Sequence, residues 1–175
     1  DEGIPLPLLQ SDEVLARYGE EQITAFGTLV HSLLEERIMG RSEGRIPIPL
    51  ALARTLTAHE LATLQTDARS LVDSFLESEF FLQEIAPHPR HVEVGFFLKR
   101  EVEWRSIAVE GAIDLVVDQG KGVLVVDFKS DRWWDESAHE GQLRTYMEAA
   151  AKIWEKPVTA AVVFVRDCSR IVYYR

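Results

Sequence analysis

Two apolar segments near the middle of the chain each contain an acidic residue that a buried strand would not normally carry. Asp114 lies in the segment GAIDLVV, and Asp127 lies in GVLVVDFK, two residues before Lys129. Because side chains alternate between the two faces of a strand, Asp127 and Lys129 are expected to point the same way. A short turn separates the two segments and predicts a hairpin. We therefore expect two carboxylates and one ammonium group to meet at one end of a sheet.

This combination of side chains suits metal-dependent hydrolysis. Two neighbouring carboxylates repel each other unless a cation lies between them, and their hard oxygen atoms match Mg²⁺ or Mn²⁺. A divalent ion can polarise a phosphoryl oxygen and lower the pKa of a bound water. A nearby lysine can orient that water or stabilise the charge that develops on the phosphate. Asp-x-Lys alone occurs by chance, so the prediction depends on the two strands together.

The elements that must position these residues follow from the apolar periodicity. Helices are predicted over residues 12–39, 57–78 and 135–154, and a loop rich in Gly and Pro over 40–49. The sequence TAHE at the start of the second helix is a capping-box pattern. Strands are predicted over residues 92–100, 104–118, 120–129, 158–165 and 170–174. This order predicts an α/β fold with a mixed central sheet flanked by helices, preceded by N-terminal helices.

Composition limits the classes of protein that remain. The chain has 175 residues, of which 46% are hydrophobic, enough for one globular domain with its own core. No apolar run approaches the roughly 20 residues that span a bilayer, and the acidic N-terminus lacks a signal-peptide pattern. The single cysteine, Cys168, excludes an internal disulfide and a thiolate-rich metal site. These features favour a cytoplasmic protein without a membrane segment. The net charge of −10 argues against a free-standing nucleic-acid binder.

With the helix segment QLRTY added, the pattern resembles a known family. GAIDLVV, GVLVVDFKS and QLRTY, in this order, resemble the core of the PD-(D/E)xK nucleases, in particular the RecB-type nuclease domain. That domain stands at the C-terminus of AddA- and RecB-like helicase–nucleases, whose motor is of UvrD type. The resemblance implies a restriction-endonuclease-like core. Residues 1–11 are then a lead-in, and residues 12–175 form a single RecB-type nuclease domain within a larger protein.

The resemblance also assigns roles to individual residues. It implies that Asp114, Asp127 and Lys129 are catalytic, and that both aspartates bind the metal with His31 of GTLVHSLLE and the main-chain carbonyl of Phe128. Glu93 is given a supporting role near the site. The implied DNA contacts are Gln142, Tyr146, Arg132 and Arg144. Trp133 and Trp134 could stack on bases, although at least one of them is more simply a core anchor of the turn.

The expected function is therefore a Mg²⁺-dependent deoxyribonuclease, with Mn²⁺ as an alternative ion. It would act as an exonuclease on single-stranded DNA delivered by helicase domains, in double-strand break repair and recombination. An AddB/RecC-like subunit would be its partner. ATP would be used only by a motor that lies outside this sequence, and one cysteine cannot hold an iron–sulfur cluster. The alternatives are a catalytically silent DNA-binding or subunit-docking module of the same fold, a free-standing restriction-type nuclease, and a general α/β interaction domain.

Overall fold

The computed structural model describes residues 6–41, 47–132 and 136–175, the last range without the side chains of 136–138. Five helices are found there, together with one π-helical turn at Phe81–Ile85 and five strands. The helices are α1 (Gln10–Leu15), α2 (Glu20–Ile38), α3 (Leu50–Thr55), α4 (Ala58–Leu76) and α5 (Glu136–Trp154). The strands are β1 (Arg90–Val102), β2 (Arg105–Asp118), β3 (Val123–Lys129), β4 (Val158–Phe164) and β5 (Ile171–Tyr174).

The strands form one sheet in the order β1-β2-β3-β4-β5, and the prediction of a mixed sheet is confirmed. Neighbouring strands are antiparallel except β3 and β4, which are parallel and joined by α5. One face of the sheet packs against α1, α2 and α4, and the other packs against α5. β3 and β4 are buried on both faces, which explains their continuous apolar sequences. The central strands are therefore fixed from both sides, and β3 carries Asp127 and Lys129.

The N-terminal helical region differs from the prediction. The helix expected over 12–39 is two helices, because α1 ends at Leu15 and α2 begins at Glu20. The start of α2 is stabilised by the Gly19 N–H, which donates a hydrogen bond to Gln22 Oε1 at 3.1 Å. The short helix α3 was not predicted at all. The capping box of α4 is confirmed: the Glu60 N–H donates to Thr57 Oγ1, and the Thr57 N–H donates to Glu60 Oε2.

The predicted β1–β2 hairpin is confirmed, and its two strands are longer than the other strands of the sheet. Its register runs from Arg90↔Val117 to Val102↔Arg105. β3 pairs with β2 only over residues 115–118, so most of the hairpin extends beyond the rest of the sheet. The hairpin turn carries Trp104, whose side chain is exposed. Asp114 lies in the part of β2 away from the hairpin turn, next to Leu115, where the pairing with β3 begins.

The first described residues pack on the domain rather than away from it. Leu6 is buried, and its N–H donates a hydrogen bond to the Arg132 carbonyl at 3.0 Å. The Arg166 guanidinium binds both carboxylate oxygens of Asp12, at 2.7 and 2.8 Å, and also donates to the Ser130 carbonyl at 2.9 Å. These contacts hold the segment before α2 against the segment that follows β3. Among the described residues, no helix has the length and apolarity needed to cross a bilayer.

Candidate active site

The two aspartates come together at one end of the sheet. The β2–β3 register Leu115↔Val126 brings the next residues, Asp114 and Asp127, to adjacent positions on neighbouring strands. Asp114 Oδ2 accepts a hydrogen bond from the Phe128 N–H at 2.9 Å, which fixes this carboxylate against β3. Both carboxylates are largely buried, with side chains 15% and 3% exposed, respectively. The hairpin geometry expected from the sequence is therefore present.

Lys129 connects the aspartates to α5. Lys129 Nζ lies 2.9 Å from Asp127 Oδ2 and donates a hydrogen bond to Gln142 Oε1 at 3.3 Å. Gln142 Nε2 in turn donates to the Tyr146 hydroxyl at 2.7 Å, as their spacing of four residues on a helix allows. Four of the predicted site residues thus form one continuous chain of contacts.

Burial and like charge dominate the electrostatics of this group. Burial, and then the negative charge of Asp114, raise the pKa of Asp127 to about 6, although the Lys129 ammonium acts in the opposite direction. Burial and the charges of both aspartates also raise the pKa of Tyr146 to about 12. Tyr146 is therefore a neutral phenol at physiological pH. Asp127 is a carboxylate whose charge is only partly compensated by its neighbours.

His31 reaches the site from the opposite side of the sheet. It lies on α2, and its Nδ1 is 3.7 Å from Asp114 Oδ2. Burial by itself would lower the pKa of His31, but the neighbouring Asp114 and Asp127 carboxylates raise it overall. One turn earlier, a Cβ atom at Gly27 would lie 3.1 Å from Ser130 Oγ. The glycine therefore lets α2 approach the segment after β3.

Glu93 and Glu35 extend the acidic group. Glu93 interrupts the regular β1–β2 pairing between Val92↔Leu115 and Val94↔Ile113, and its φ of +49° is unusual for a residue with a side chain. Glu35 follows His31 by one turn of α2. Burial, and then a hydrogen bond with Glu93, raise the pKa of Glu35 to about 7.

Glu35 was not singled out from the sequence, where it stands in an ordinary acidic pair of a helix. The one available signal was its spacing of four residues from His31, which places both side chains on one face of α2. That signal is weak without knowledge of Glu93, because a charged residue at this spacing most often faces solvent.

The other predicted DNA contacts are peripheral or not described. Arg144 forms an exposed ion pair with Glu140 at 2.9 Å on α5. The main chain of Arg132 is bound to Leu6 and so belongs to the N-terminal contact. Trp133 and Trp134 lie outside the described residues. The structure thus brings Gln142 and Tyr146 to the aspartates but shows no contact between Arg144 and them.

The chemistry of the donor set fits a divalent metal ion. Asp127 Oδ2 is buried and has no well-directed hydrogen bond among the described residues, although the Lys129 ammonium lies close to it. That oxygen is therefore available as a ligand. No group of three His, Cys, Asp or Glu side chains in the described ranges forms a ready-made metal cluster. Mg²⁺ does not require one, because it is commonly bound by one or two carboxylates together with water and substrate phosphates.

Three known proteins are similar to this chain in fold or in sequence. The crystal structure of a candidate exonuclease from Eubacterium rectale has the same fold, with a TM-score of 0.53 and 13% identity over 94% of this chain and 64% of the other. One component of an ATP-dependent helicase/nuclease from Anoxybacillus flavithermus is 34% identical over 88 residues, 46% of this chain. The same-named protein of Desulforamulus reducens is 33% identical over 72 residues, 38% of this chain.

These matched segments span only 7% and 6% of the two relatives, so the similarity concerns a small part of much longer proteins. The family comparison covers nearly the whole chain. The model of the PD-(D/E)XK nuclease superfamily matches residues 8–172, which include both aspartates, Lys129 and the α5 residues that contact them. The chain therefore belongs to the PD-(D/E)XK nuclease superfamily.

Proposed function

We propose that this domain is a metal-dependent deoxyribonuclease that hydrolyses phosphodiester bonds in single-stranded DNA, acting as an exonuclease. The observation that carries the proposal is the adjacency of Asp114 and Asp127 on neighbouring strands, with Lys129 Nζ 2.9 Å from Asp127. Two buried carboxylates beside one ammonium group are costly in a sheet that serves only as a scaffold.

Asp114 and Asp127 would hold Mg²⁺ or Mn²⁺, with His31 and the Phe128 carbonyl as further ligands. A bound divalent ion supplies Lewis-acid chemistry at the scissile phosphate. Lys129 already contacts Asp127 and Gln142, so its three N–H groups can orient the attacking water and stabilise negative charge on the phosphate.

The α5 side of the site would bind the DNA strand. The Gln142 amide and the Tyr146 hydroxyl form a fixed polar pair beside Lys129, and the Tyr146 phenol remains a hydrogen-bond donor because its pKa is raised to about 12. Arg144 lies between Gln142 and Tyr146 on a different face of α5, where it is exposed. With Arg132, it would contact phosphates farther along the DNA strand.

We infer the wider biological role of the domain from the names of its relatives. Two of them are components of helicase/nucleases, so we propose that helicase domains deliver the strand and that ATP is used only there. Delivery by a motor would raise the local concentration of DNA at a domain that is itself acidic. We further propose a cytoplasmic location, a role in double-strand break repair and recombination, and an AddB/RecC-like partner subunit.

The test is a nuclease assay on labelled single-stranded DNA with Mg²⁺, with EDTA as the metal-free control. We expect Asp127→Asn and Lys129→Met each to lower the cleavage rate by at least about 100-fold. Asp118→Asn is the matched control, because it removes a carboxylate from the last residue of β2, where it pairs with Lys156 and not with Lys129. Calorimetry with Mn²⁺ should show binding to the wild type and to Asp118→Asn, but not to Asp127→Asn.

Two results would contradict the proposal in different ways. Undiminished cleavage by both active-site variants would mean that the chemistry lies elsewhere. A wild-type protein that binds DNA but cleaves none of it, with either ion, would favour the catalytically silent module instead.

A further inference from the structure

A cleft of about 480 Å³ lies beside the site on the α2 side of the sheet. One wall is a single face of α2, and the other is formed by Glu93 and by Ser130 and Asp131, which follow β3. The α2 wall consists mainly of small or polar residues: Thr24, Gly27, Thr28, His31, Ser32 and Glu35. A volume near 480 Å³ is in the lower part of the range for small-ligand sites, suited to one nucleoside rather than to a longer segment.

One end of the cleft approaches Asp114. His31, Glu35 and Glu93 line the cleft and also line an adjoining gap, too narrow for a water molecule, that is bordered by Asp114 and Phe128. Gln142 and Tyr146 lie on α5, which packs on the other face of the sheet. A DNA strand whose scissile phosphate lies at the two aspartates can therefore have α5 on one side of that phosphate and the cleft on the other.

The chemistry of the walls selects against phosphate. The cleft is lined by the carboxyl groups of Glu35, Glu93 and Asp131, of which Glu35 and Glu93 share a hydrogen bond, and no Lys or Arg among the described residues lines it. The remaining polar groups are the hydroxyls of Thr24, Thr28, Ser32 and Ser130 and the imidazole of His31, which the proposed function assigns to the metal. A terminal phosphate monoester would bring about −1.5 to −2 charges against these carboxylates. A sugar hydroxyl or a base amino group would instead donate hydrogen bonds to them.

Gly27 lies where the two walls of the cleft meet. A Cβ atom at this position would lie 3.1 Å from Ser130 Oγ, so a larger residue would push α2 and Ser130 apart. The Thr28 hydroxyl donates to the Thr24 carbonyl at 3.2 Å within the helix, so its hydrogen is already used and the oxygen is left as an acceptor. This oxygen and the three carboxyl groups of the cleft can accept hydrogen bonds from an uncharged donor.

We propose that this cleft is the subsite for the terminal nucleoside of the strand, and that it accepts a free terminal hydroxyl and rejects a terminal phosphate. The inference rests on the proposed function, because it requires the scissile phosphate to lie at Asp114 and Asp127. The subsite would determine which chemical form of the DNA end the domain accepts.

The test uses four single-stranded oligonucleotides of one sequence, with hydroxyl or phosphate at the 5′ end and hydroxyl or phosphate at the 3′ end. At the end that is degraded, we expect the hydroxyl form to be cleaved at least tenfold faster than the phosphate form. Glu35→Gln should reduce this preference at least threefold. Glu21→Gln removes the same charge from an exposed position on α2 outside the cleft, and it should retain the wild-type preference.

Thr24→Trp provides a second variant that does not depend on Glu35. Thr24 is exposed at the cleft wall, so a large side chain there should fill the cleft without disturbing the core. We expect a loss of at least tenfold in kcat/KM for the hydroxyl-ended strand, with Mn²⁺ affinity unchanged.

The outcomes separate the two proposals. Cleavage of all four substrates at equal rates, faster cleavage of the phosphate form, or cleavage of circular single-stranded DNA as fast as linear DNA would overturn the subsite and leave the nuclease proposal standing. Absence of cleavage of every substrate, with Mg²⁺ and with Mn²⁺, would overturn the nuclease proposal and the subsite with it.

Discussion

The ion pair between Asp12 and Arg166 should make a large and pH-dependent contribution to stability. The Arg166 side chain is only 4% exposed, and both of its terminal nitrogens bind the Asp12 carboxylate. Breaking a buried ion pair typically costs about 3–5 kcal/mol. Asp12→Asn retains one acceptor oxygen, so we expect a loss at the lower end of that range, about 3 kcal/mol at pH 7.

Urea unfolding followed by tryptophan fluorescence measures this loss. With a dependence of about 1–3 kcal/mol per molar urea, the midpoint should fall by about 1 M or more. Asp73→Asn is the matched control, because Asp73 pairs with Arg37 at 2.8 Å with both side chains substantially exposed. Such an exposed pair contributes about 0–1 kcal/mol, so the control should unfold close to the wild-type midpoint.

The pH dependence gives a second readout. Burial alone would raise the pKa of Asp12, but hydrogen bonds from Arg166 and the Leu9 N–H, together with the Arg166 charge, lower the pKa overall from 3.8. A carboxyl group with a lowered folded-state pKa stabilises the protein fully above its unfolded pKa, and loses that effect as the pH falls through the folded value. The difference between wild type and Asp12→Asn should therefore be constant from pH 7 to 5 and shrink below about pH 3.8. A loss under 1 kcal/mol at pH 7, or one that persists unchanged at pH 2, would refute this reasoning.

Three further predictions concern the core, the acidic group and the thiol. Phe75→Ala should lower the free energy of unfolding by about 3–5 kcal/mol in urea denaturation, because Phe75 is fully buried and packs edge-on against Phe128 at 5.0 Å; a change below 1 kcal/mol would contradict this packing. Glu93→Gln should lower the pKa of Glu35 from about 7, as measured by NMR titration of the carboxyl carbon, because the neighbouring charge is removed; an unchanged pKa would show that the two side chains do not interact. Burial, and then the Asp167 charge, raise the pKa of the Cys168 thiol to about 11, so a thiol reagent at pH 7.5 should react slowly with the folded protein and rapidly in urea; equal rates would show that the thiol is accessible.

The strands that carry Asp114 and Asp127 could be predicted from the sequence because their signal is local. Asp114 and Asp127 stand in two apolar runs joined by a short turn, and the alternation of a strand then fixes which side chains share a face. The spacing of Gln142 and Tyr146 on a helix is equally local. The structure brings Asp127, Lys129, Gln142 and Tyr146 into one chain of contacts, with Asp114 on the neighbouring strand.

The features that were missed depend on contacts between residues distant in sequence. Arg166 and Asp12 are separated by most of the chain, and no periodicity links them. Glu35 gains its raised pKa only because Glu93, with its unusual φ, lies against it. The break between α1 and α2 was also missed, because apolar residues continue at helical spacing on both sides of Gly19.

The parallel pairing of β3 with β4 has a consequence for the order in which the site can fold. Asp114 and Asp127 are joined by a short hairpin connection, whereas β3 meets β4 only through pairs such as Val123↔Val158, which enclose the whole of α5. Closing the longer loop costs more chain entropy, and contacts of this kind generally form slowly. We therefore expect the carboxylate pair to assemble early and locally. The hydrogen bond from the Val165 N–H to the Lys129 carbonyl, which holds the main chain at Lys129, can form only after α5 and β4 have packed against β3.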